Sequence, residues 1–334
     1  MQSFQSRRRF LAGLTATGAA GLIGAPQSSY AEPPPETTTV RLARNPNICF
    51  APLYIAEEFL RTEGFTDIRY DVESQGFALA EMVARDEIDF ATAFAGSLVY
   101  QIDAGLPIIA IGGLHIGCYE LFAHDPIRSI GDLKRRRVVT QALRGSGHLY
   151  LSIIAAHVGL DPQVDIEWIE GGMEALEMFA RREADAFLAF PPEPQALRAR
   201  AIGRNILQTT TDRPWSDYLC CVPFTNREFA RDNPIATKRV LRAFLKAADF
   251  CAADPAVAAR RLVDRGYAAN YDFAYEAMSE IPYTAWRDFD VEDSMRFFAL
   301  RLREVGMTKL GPNELIAQGA DWRFFDELKR ELKM

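Results

Sequence analysis

The sequence predicts an α/β protein of two similar lobes followed by a helical C-terminal tail. Three observations carry that prediction. Short β-branched or apolar runs alternate with longer helical patterns, the order expected of a mostly parallel sheet with helices on its faces. A twenty-residue segment recurs at an offset of 96 residues. After residue 215 the composition turns helical. A length of 334 residues suits two domains or one large α/β unit. With 49% hydrophobic and 25% charged residues the balance is that of a globular protein.

Taken in order, Val40–Ala43 reads as a strand and Pro52–Thr62 as a helix. Ile68–Val72 is a strand, Leu79–Arg85 helical and Asp89–Ala93 a strand. Ser97–Ala104 is helical and Ile108–Ile111 a strand. The pattern then restarts with a strand at Val138–Gln141. A helix follows at Leu149–Val158, with Leu151, Ile154, Ala155 and Val158 on one face. Asp165–Ile169 is a strand, Glu174–Arg181 a helix and Asp185–Ala189 a strand. Laid on one another, Gly76–Ala95 and Gly172–Pro191 share nine identities in twenty, from Gly76/Gly172 to Phe94/Phe190. Upstream, Asp67-Ile68-Arg69-Tyr70 echoes Asp165-Ile166-Glu167-Trp168 with a two-residue shift. An offset near 96 is too long for a solenoid repeat and fits two lobes of comparable build. In the tail, Asn233-Pro234 forms an N-cap and N1 pair. Ile235, Leu241, Phe244, Leu245 and Ala248 continue it as an apolar stripe. Further helices are expected at Pro255–Asp264, Asp272–Glu280, Val291–Val305 and Trp322–Leu332. Lacking strands, the tail is expected to return to the first lobe.

Residues 1–31 read as an address. Arg7, Arg8 and Arg9 precede a 14-residue apolar run from Phe10 to Ile23, and Ser29-Tyr30-Ala31 is a small-x-small cleavage pattern. The string Ser6-Arg7-Arg8-Arg9-Phe10-Leu11 resembles the twin-arginine export signal. A basic disordered tail is the alternative. Cleavage would leave 303 residues and shift the net charge from −7 to −10. Residues 32–39 then form a flexible Pro-rich leader. So acidic a chain is a poor nucleic-acid binder. No stretch approaches the 18 apolar residues of a membrane span.

Several motifs together resemble a known family. They are Ala51-Pro52-Leu53-Tyr54-Ile55-Ala56 with Glu63-Gly64-Phe65, Gly105-Leu106-Pro107, Ser129-Ile130-Gly131-Asp132-Leu133-Lys134, Gly159-Leu160-Asp161-Pro162, and Glu183-Ala184-Asp185-Ala186 leading to Pro191. The chain resembles periplasmic substrate-binding proteins of ABC importers, of the nitrate/sulfonate/taurine (NitT/TauT), SsuA/THI5-like type. The likeness covers roughly residues 40–250 and departs from the usual pattern at Arg135-Arg136-Arg137, a surface turn. It implies a type II periplasmic-binding-protein fold, with two lobes joined by two crossover segments and a cleft between them. The crossovers would be Cys118–Ala123 and Tyr218–Val222. Lobe I would comprise 36–117 plus 216–334, and lobe II 118–215. It also implies an exported, monomeric receptor that hands a small molecule to a membrane permease. Two alternatives stay open: a binding protein serving a signalling receptor, and a THI5-like pyrimidine-precursor enzyme.

Ligands of open α/β sheets lie beyond the carboxyl ends of the strands, and pockets favour domain interfaces. Five loops meet that condition. They offer Asn47 and Phe50; Gly76; Phe94 and Ser97; Arg144, Ser146 and His148; and Pro191 and Glu193. The Gly-rich turn at 144–148 opens a helix, where backbone N–H groups and partial positive charge favour an anion. Arg144 and His148 would add cationic or donor groups. Ser146 and Ser97 have helix capping as their alternative role. Phe50, Tyr54, Phe77, Phe94, Tyr119, Phe190 and Trp215 are candidate walls for a ring, or core residues. Glu193 would receive an amine or a pyrimidine ring nitrogen, or else be solvated.

No catalytic motif is legible: H-E-x-x-H, G-x-S-x-G and G-x-G-x-x-G are all missing. No cofactor is expected. The four His (115, 124, 148 and 157) and five Cys show no metal-ligand spacing. Either member of Cys220-Cys221 would bridge Cys118 if the crossovers ran side by side; buried thiols are the alternative.

Overall fold

Two mixed sheets carry the chain. The computed structural model describes residues 32–44, 47–73 and 78–332. The export signal, Gly76 and Phe77 lie outside them. The first sheet has the order β2-β1-β3-β11-β4, with β5 also on β11. Its strands are β1 (Thr39–Arg44), β2 (Asp67–Glu73), β3 (Phe90–Phe94), β4 (Ile108–Ala110), β5 (His115–Ile116) and β11 (Leu219–Asn226). The second has the order β10-β6-β9-β7-β8. It comprises β6 (Glu120–Ala123), β7 (Arg136–Thr140), β8 (Ile166–Glu170), β9 (Ala186–Ala189) and β10 (Arg204–Gln208). Both sit in one compact unit beginning at Pro35.

The expected sheet was mostly parallel, and in each sheet one strand runs against the rest. β1 pairs parallel with β2 and β3, as β7 does with β8 and β9. The later strand β11 runs antiparallel between β3 and β4, and β6 antiparallel between β9 and β10. Both are strands that arrive from the other sheet, so no βαβ unit fixes their direction. β11 is buried at all eight positions, as a central strand covered on both faces must be.

The repeat at offset 96 is a structural repeat. Leu42 pairs with Phe90, and Val138 with Ala186. Val40 pairs with Ile68, and Arg136 with Ile166, which reproduces the two-residue shift in the second strand. Asp89 accepts the Arg41 backbone N–H at 2.6 Å, and Asp185 accepts that of Arg137 at 2.9 Å. Asp86 and Arg182 both turn the chain with left-handed backbone, at φ 60° and 62°. These polar residues hold the same βαβ joint in both halves.

The crossing segments lie upstream of where the sequence placed them. Residues 117–119 lead from β5 to β6, and residues 209–218 lead from β10 to β11. They run together: Thr209 N–H donates to the Tyr119 carbonyl, and Tyr119 N–H to Thr209 Oγ1, both at 2.9 Å. A side chain at Gly117 would put its Cβ 2.5 Å from Thr210 Cα. Only glycine permits that approach.

The tail returns to the first sheet. Helix Pro234–Ala253 opens on Pro234 and buries Leu241, Phe244, Leu245 and Ala248. Ala320, after helix Pro312–Gly319, bridges to Ala110 at the edge of β4. The tail also reaches the second sheet. Arg198, on helix Glu193–Ala199, pairs with Glu276 and Glu280 on helix Tyr271–Glu280, both at 2.8 Å.

Candidate functional site

Two pairs of parallel strands, β1 with β3 and β7 with β9, aim their carboxyl ends at one cleft. Beyond β1 stand Asn47, Cys49 and Phe50, and at the end of β3 Thr92, Phe94 and Ser97. Beyond β7 stand Gln141 and Ser146, and beyond β9 Phe190, Pro192 and Glu193. Tyr119 and Cys221 close the side where the crossovers pass. The cavity holds about 210 Å³. An apolar cavity of about 150 Å³ takes up benzene, so this one has room for a single substituted ring.

Its walls are largely apolar: Phe50, Leu79, Ala80, Phe94, Leu98, Tyr119, Met173 and Phe190. The aromatic members brace one another. Phe94 and Phe190 each meet Tyr119 with ring centroids 5.7 Å apart, and Phe94 stacks on Tyr150 behind it at 4.5 Å. Against that wall stand a few polar groups. Thr92 Oγ1 and Ser97 Oγ are buried without a hydrogen-bond partner, although buried hydroxyls are normally paired. Both line the cleft, where a ligand would satisfy them.

Two helices begin at the cleft with no side-chain cap: Ala95–Asp103 after Phe94, and Ser146–His157 after Gly145. Their free first-turn N–H groups are donors to a bound polar atom. Ser97 is not a cap, because the helix starts two residues before it.

The family model described as NMT1/THI5 like matches residues 47–258. The chain belongs to that family. Several solved structures resemble this chain in fold at low sequence identity. The periplasmic nitrate-binding protein NrtA from Synechocystis PCC 6803 superposes with a TM-score of 0.76 at 16% identity, covering 90% of both chains. The alkanesulfonate-binding protein SsuA from Xanthomonas axonopodis pv. citri, bound to MOPS, gives 0.72 at 17% identity, covering 86% of this chain and 99% of that one. The periplasmic aliphatic sulphonate binding protein SsuA from Escherichia coli gives 0.66 at 16%, covering 84% and 91%. These likenesses establish the periplasmic-binding-protein fold. No curated protein sequence matches.

Of the sequence candidates, the structure brings Asn47, Phe50, Phe94, Ser97, Ser146 and Glu193 together around the cleft. It does not bring in Arg144, His148 or Pro191. Arg144 and His148 line a separate outer groove with Trp168, Asp103 and Lys309. Helical geometry explains the split. His148 lies two positions, about 200°, around the helix from Ser146, so it points away. There its Nδ1 accepts the Arg144 N–H at 3.2 Å and its ring meets Trp168 edge-on at 4.4 Å. Burial, with Arg144 beside it, lowers the His148 pKa to about 4, so the ring is neutral at neutral pH. The expected cationic turn therefore contributes no charge to the cleft, and no Arg, Lys or His is among its described lining residues. Pro191 is buried behind, and its neighbour Pro192 faces the cavity.

Glu193 is the one carboxylate of the described lining. Its Oε1 accepts from Gln141 Nε2 at 2.7 Å, and its Oε2 from Phe190 N–H at 3.1 Å. Burial raises its pKa to about 7 against those two hydrogen bonds. It is thus poised to donate as an acid or accept as a carboxylate.

Among the aromatic candidates, Phe50, Phe94, Tyr119 and Phe190 are walls. Tyr54 stacks on Tyr267 at 4.2 Å, and Trp215 is buried beside Tyr150; both are core. Gln141 and Thr92 were missed. Gln141 ends a predicted strand at its carboxyl end, and Thr92 shares a face with Phe94 by strand alternation, so both signals were present. The cysteines are all free and buried, with Cys118 and Cys220 sulfurs 3.9 Å apart.

Proposed function

We propose that this family member is an extracytoplasmic solute-binding receptor of an ABC importer, capturing a small ring-bearing organic molecule between two lobes. The observation that carries this reading is the cleft itself. Loops from both sheets converge there at the carboxyl ends of β1, β3, β7 and β9, next to the paired crossovers. The ligand's ring would lie among Phe50, Phe94, Tyr119 and Phe190. Its polar atoms would meet Thr92, Ser97, Ser146, Gln141 and Glu193. With no cation in the described lining, a full negative charge would rest on hydroxyls and helix N-termini alone, beside Glu193. That favours a neutral or heterocyclic ligand over a simple inorganic anion. A ring nitrogen facing the protonated form of Glu193 fits best.

Binding rather than turnover is supported by the same lining, where a single carboxylate has no second carboxylate or histidine to share acid–base work. The lobes would close by rotation about residues 117–119 and 209–218, and the ligand would favour closure by bridging them. We read the chain as exported through the twin-arginine route, acting as a periplasmic monomer with a membrane permease. The test is thermal denaturation with a library of pyrimidines, other heterocycles, aromatic acids, sulfonates, amines and nitrate. A true ligand raises stability by RT ln(1 + [L]/Kd). A library with no effect, together with no small molecule co-purifying by mass spectrometry, would count against the reading.

A further inference from the structure

Three chain segments far apart in sequence deliver thiols and an imidazole to one buried point. Cys49 comes from the turn after β1, His115 and Cys118 from β5 and the first crossing segment, and Cys221 from β11. One potential ligand atom from each lies within 4.8 Å of all the others, and all four residues are buried. Cys49 Sγ and Cys221 Sγ are 4.0 Å apart. Tetrahedral zinc with bonds of about 2.3 Å places sulfurs about 3.8 Å apart, so that pair needs only a small contraction.

The imidazole is held in place beside the thiols. His115 is wholly buried, with Nδ1 3.1 Å from the Ile116 carbonyl oxygen and Nε2 3.2 Å from that of Cys49. A neutral imidazole has one N–H and can donate to only one of them. A protonated ring would donate to both, and a metal on one nitrogen would take the place of that second proton. Ligation by one nitrogen, with the other donating to a backbone carbonyl, is the usual orientation of a metal-bound histidine.

We propose that Cys49, Cys118, Cys221 and His115 bind a zinc(II) ion at the base of the cleft. Three thiolates and a neutral imidazole around a divalent ion leave a net charge of −1, where a monovalent ion would leave −2 in the same buried space. On binding, each of the three thiols loses its proton to solvent and forms one sulfur–zinc bond; no electron is transferred. The ion ties the turn after β1, the first crossing segment and β11 together. It also sets a rigid floor under the cavity, because Cys49 and Cys221 line it. The site stands whether or not the importer reading is right.

The test uses the full purified chain, reduced and freed of metal, titrated with cobalt(II) as the spectroscopic probe. The expected result is a thiolate-to-cobalt charge-transfer band with tetrahedral d–d absorption, saturating at one equivalent and abolished by zinc(II). Cys49→Ser and Cys221→Ser should lose the band, and Cys251→Ser, a buried thiol outside the cluster, should keep it. Should the first two variants fail to fold, the unmodified chain still reports. Zinc should release three protons per chain at neutral pH and raise Tm. Cobalt uptake without a charge-transfer band, or zinc addition without proton release, would overturn the site. So would a Cys118–Cys220 disulfide that survives in the reduced, folded chain.

Discussion

Gln141 donates through Nε2 to Oε1 of Glu193 across 2.7 Å, joining the end of β7 to the first turn of the helix after β9. The bond fixes a carboxyl group whose pKa burial raises to about 7. A carboxylic acid with a raised folded pKa binds more protons folded than unfolded between its ordinary pKa and about 7. Its contribution to stability therefore falls as pH rises through that window. Glu193→Gln should gain Tm over the unmodified chain at pH 8 and little at pH 4, read by thermal denaturation at both. For a ligand accepting through a ring nitrogen, affinity should fall as pH rises past about 7. In Glu193→Gln that dependence should flatten. A variant with the unmodified pH profile would reject Glu193 as the donor.

His148 should act in the opposite direction, and on stability alone. Its folded pKa of about 4 lies below the ordinary 6.5. Here the unfolded chain binds the extra proton, so stability is present above pH 6.5 and is lost as pH falls toward 4. A shift of this size corresponds to at most about 3 kcal/mol. His148→Gln should remove most of that acid-side slope in denaturant melts. Because His148 faces the outer groove, the variant should leave ligand affinity within about twofold, a change of no more than about 0.4 kcal/mol. Ser146→Ala should weaken binding. Equal losses from the two variants would contradict the placement.

Arg198 links the second sheet's helix to Glu276 and Glu280 on the tail. Its partners are about two-fifths exposed, so each pair contributes up to about 1 kcal/mol. The double variant Glu276→Gln with Glu280→Gln should speed ligand release roughly two- to tenfold and make it less salt-sensitive. Stopped-flow dissociation at low and high ionic strength measures both.

Gly117 and Gly159 both hold left-handed backbone, at φ +66° and +88°. A Cβ at Gly159 meets nothing within 4 Å, so Gly159→Ala should cost only the conformational strain of about 1–2 kcal/mol. Gly117→Ala adds a collision with the Thr210 backbone and must part the crossing segments. It should lower Tm well beyond Gly159→Ala. Equal melting temperatures would show that the crossovers separate easily.

How much could be read beforehand varies with the range of the interaction. The strands β1, β2, β3, β4, β7, β8 and β9 and most tail helices stand within a few residues of where the sequence places them, because period and caps are local. Helix Pro255–Asp264 coincides with its expected bounds. The short strands β5 and β10 were missed, as were helices Arg227–Asp232 and Pro312–Gly319. These are too brief to show a period, and their pairing partners make them. The expected long helix at 52–62 is two shorter ones, Ala51–Ile55 and Glu57–Thr62, with Ala56 between.

By itself the sequence determined the two-sheet architecture and its internal repeat. Arg41 and Asp89 recur as Arg137 and Asp185, since identical local geometry needs identical hydrogen bonds. It also placed the site loops, since strand direction and the carboxyl-end rule depend only on order along the chain. Tertiary structure alone decided the rest. It turned Ser146 toward the cleft and His148 away, through helical rotation. It reversed β6 and β11, because both enter their sheets from the other one. It brought Cys49 within 4.0 Å of Cys221 across 172 residues, where no spacing in the sequence could announce them. Convergence of that kind comes from β11 entering the first sheet next but one to β1, and side-chain pattern along a single strand carries no record of it.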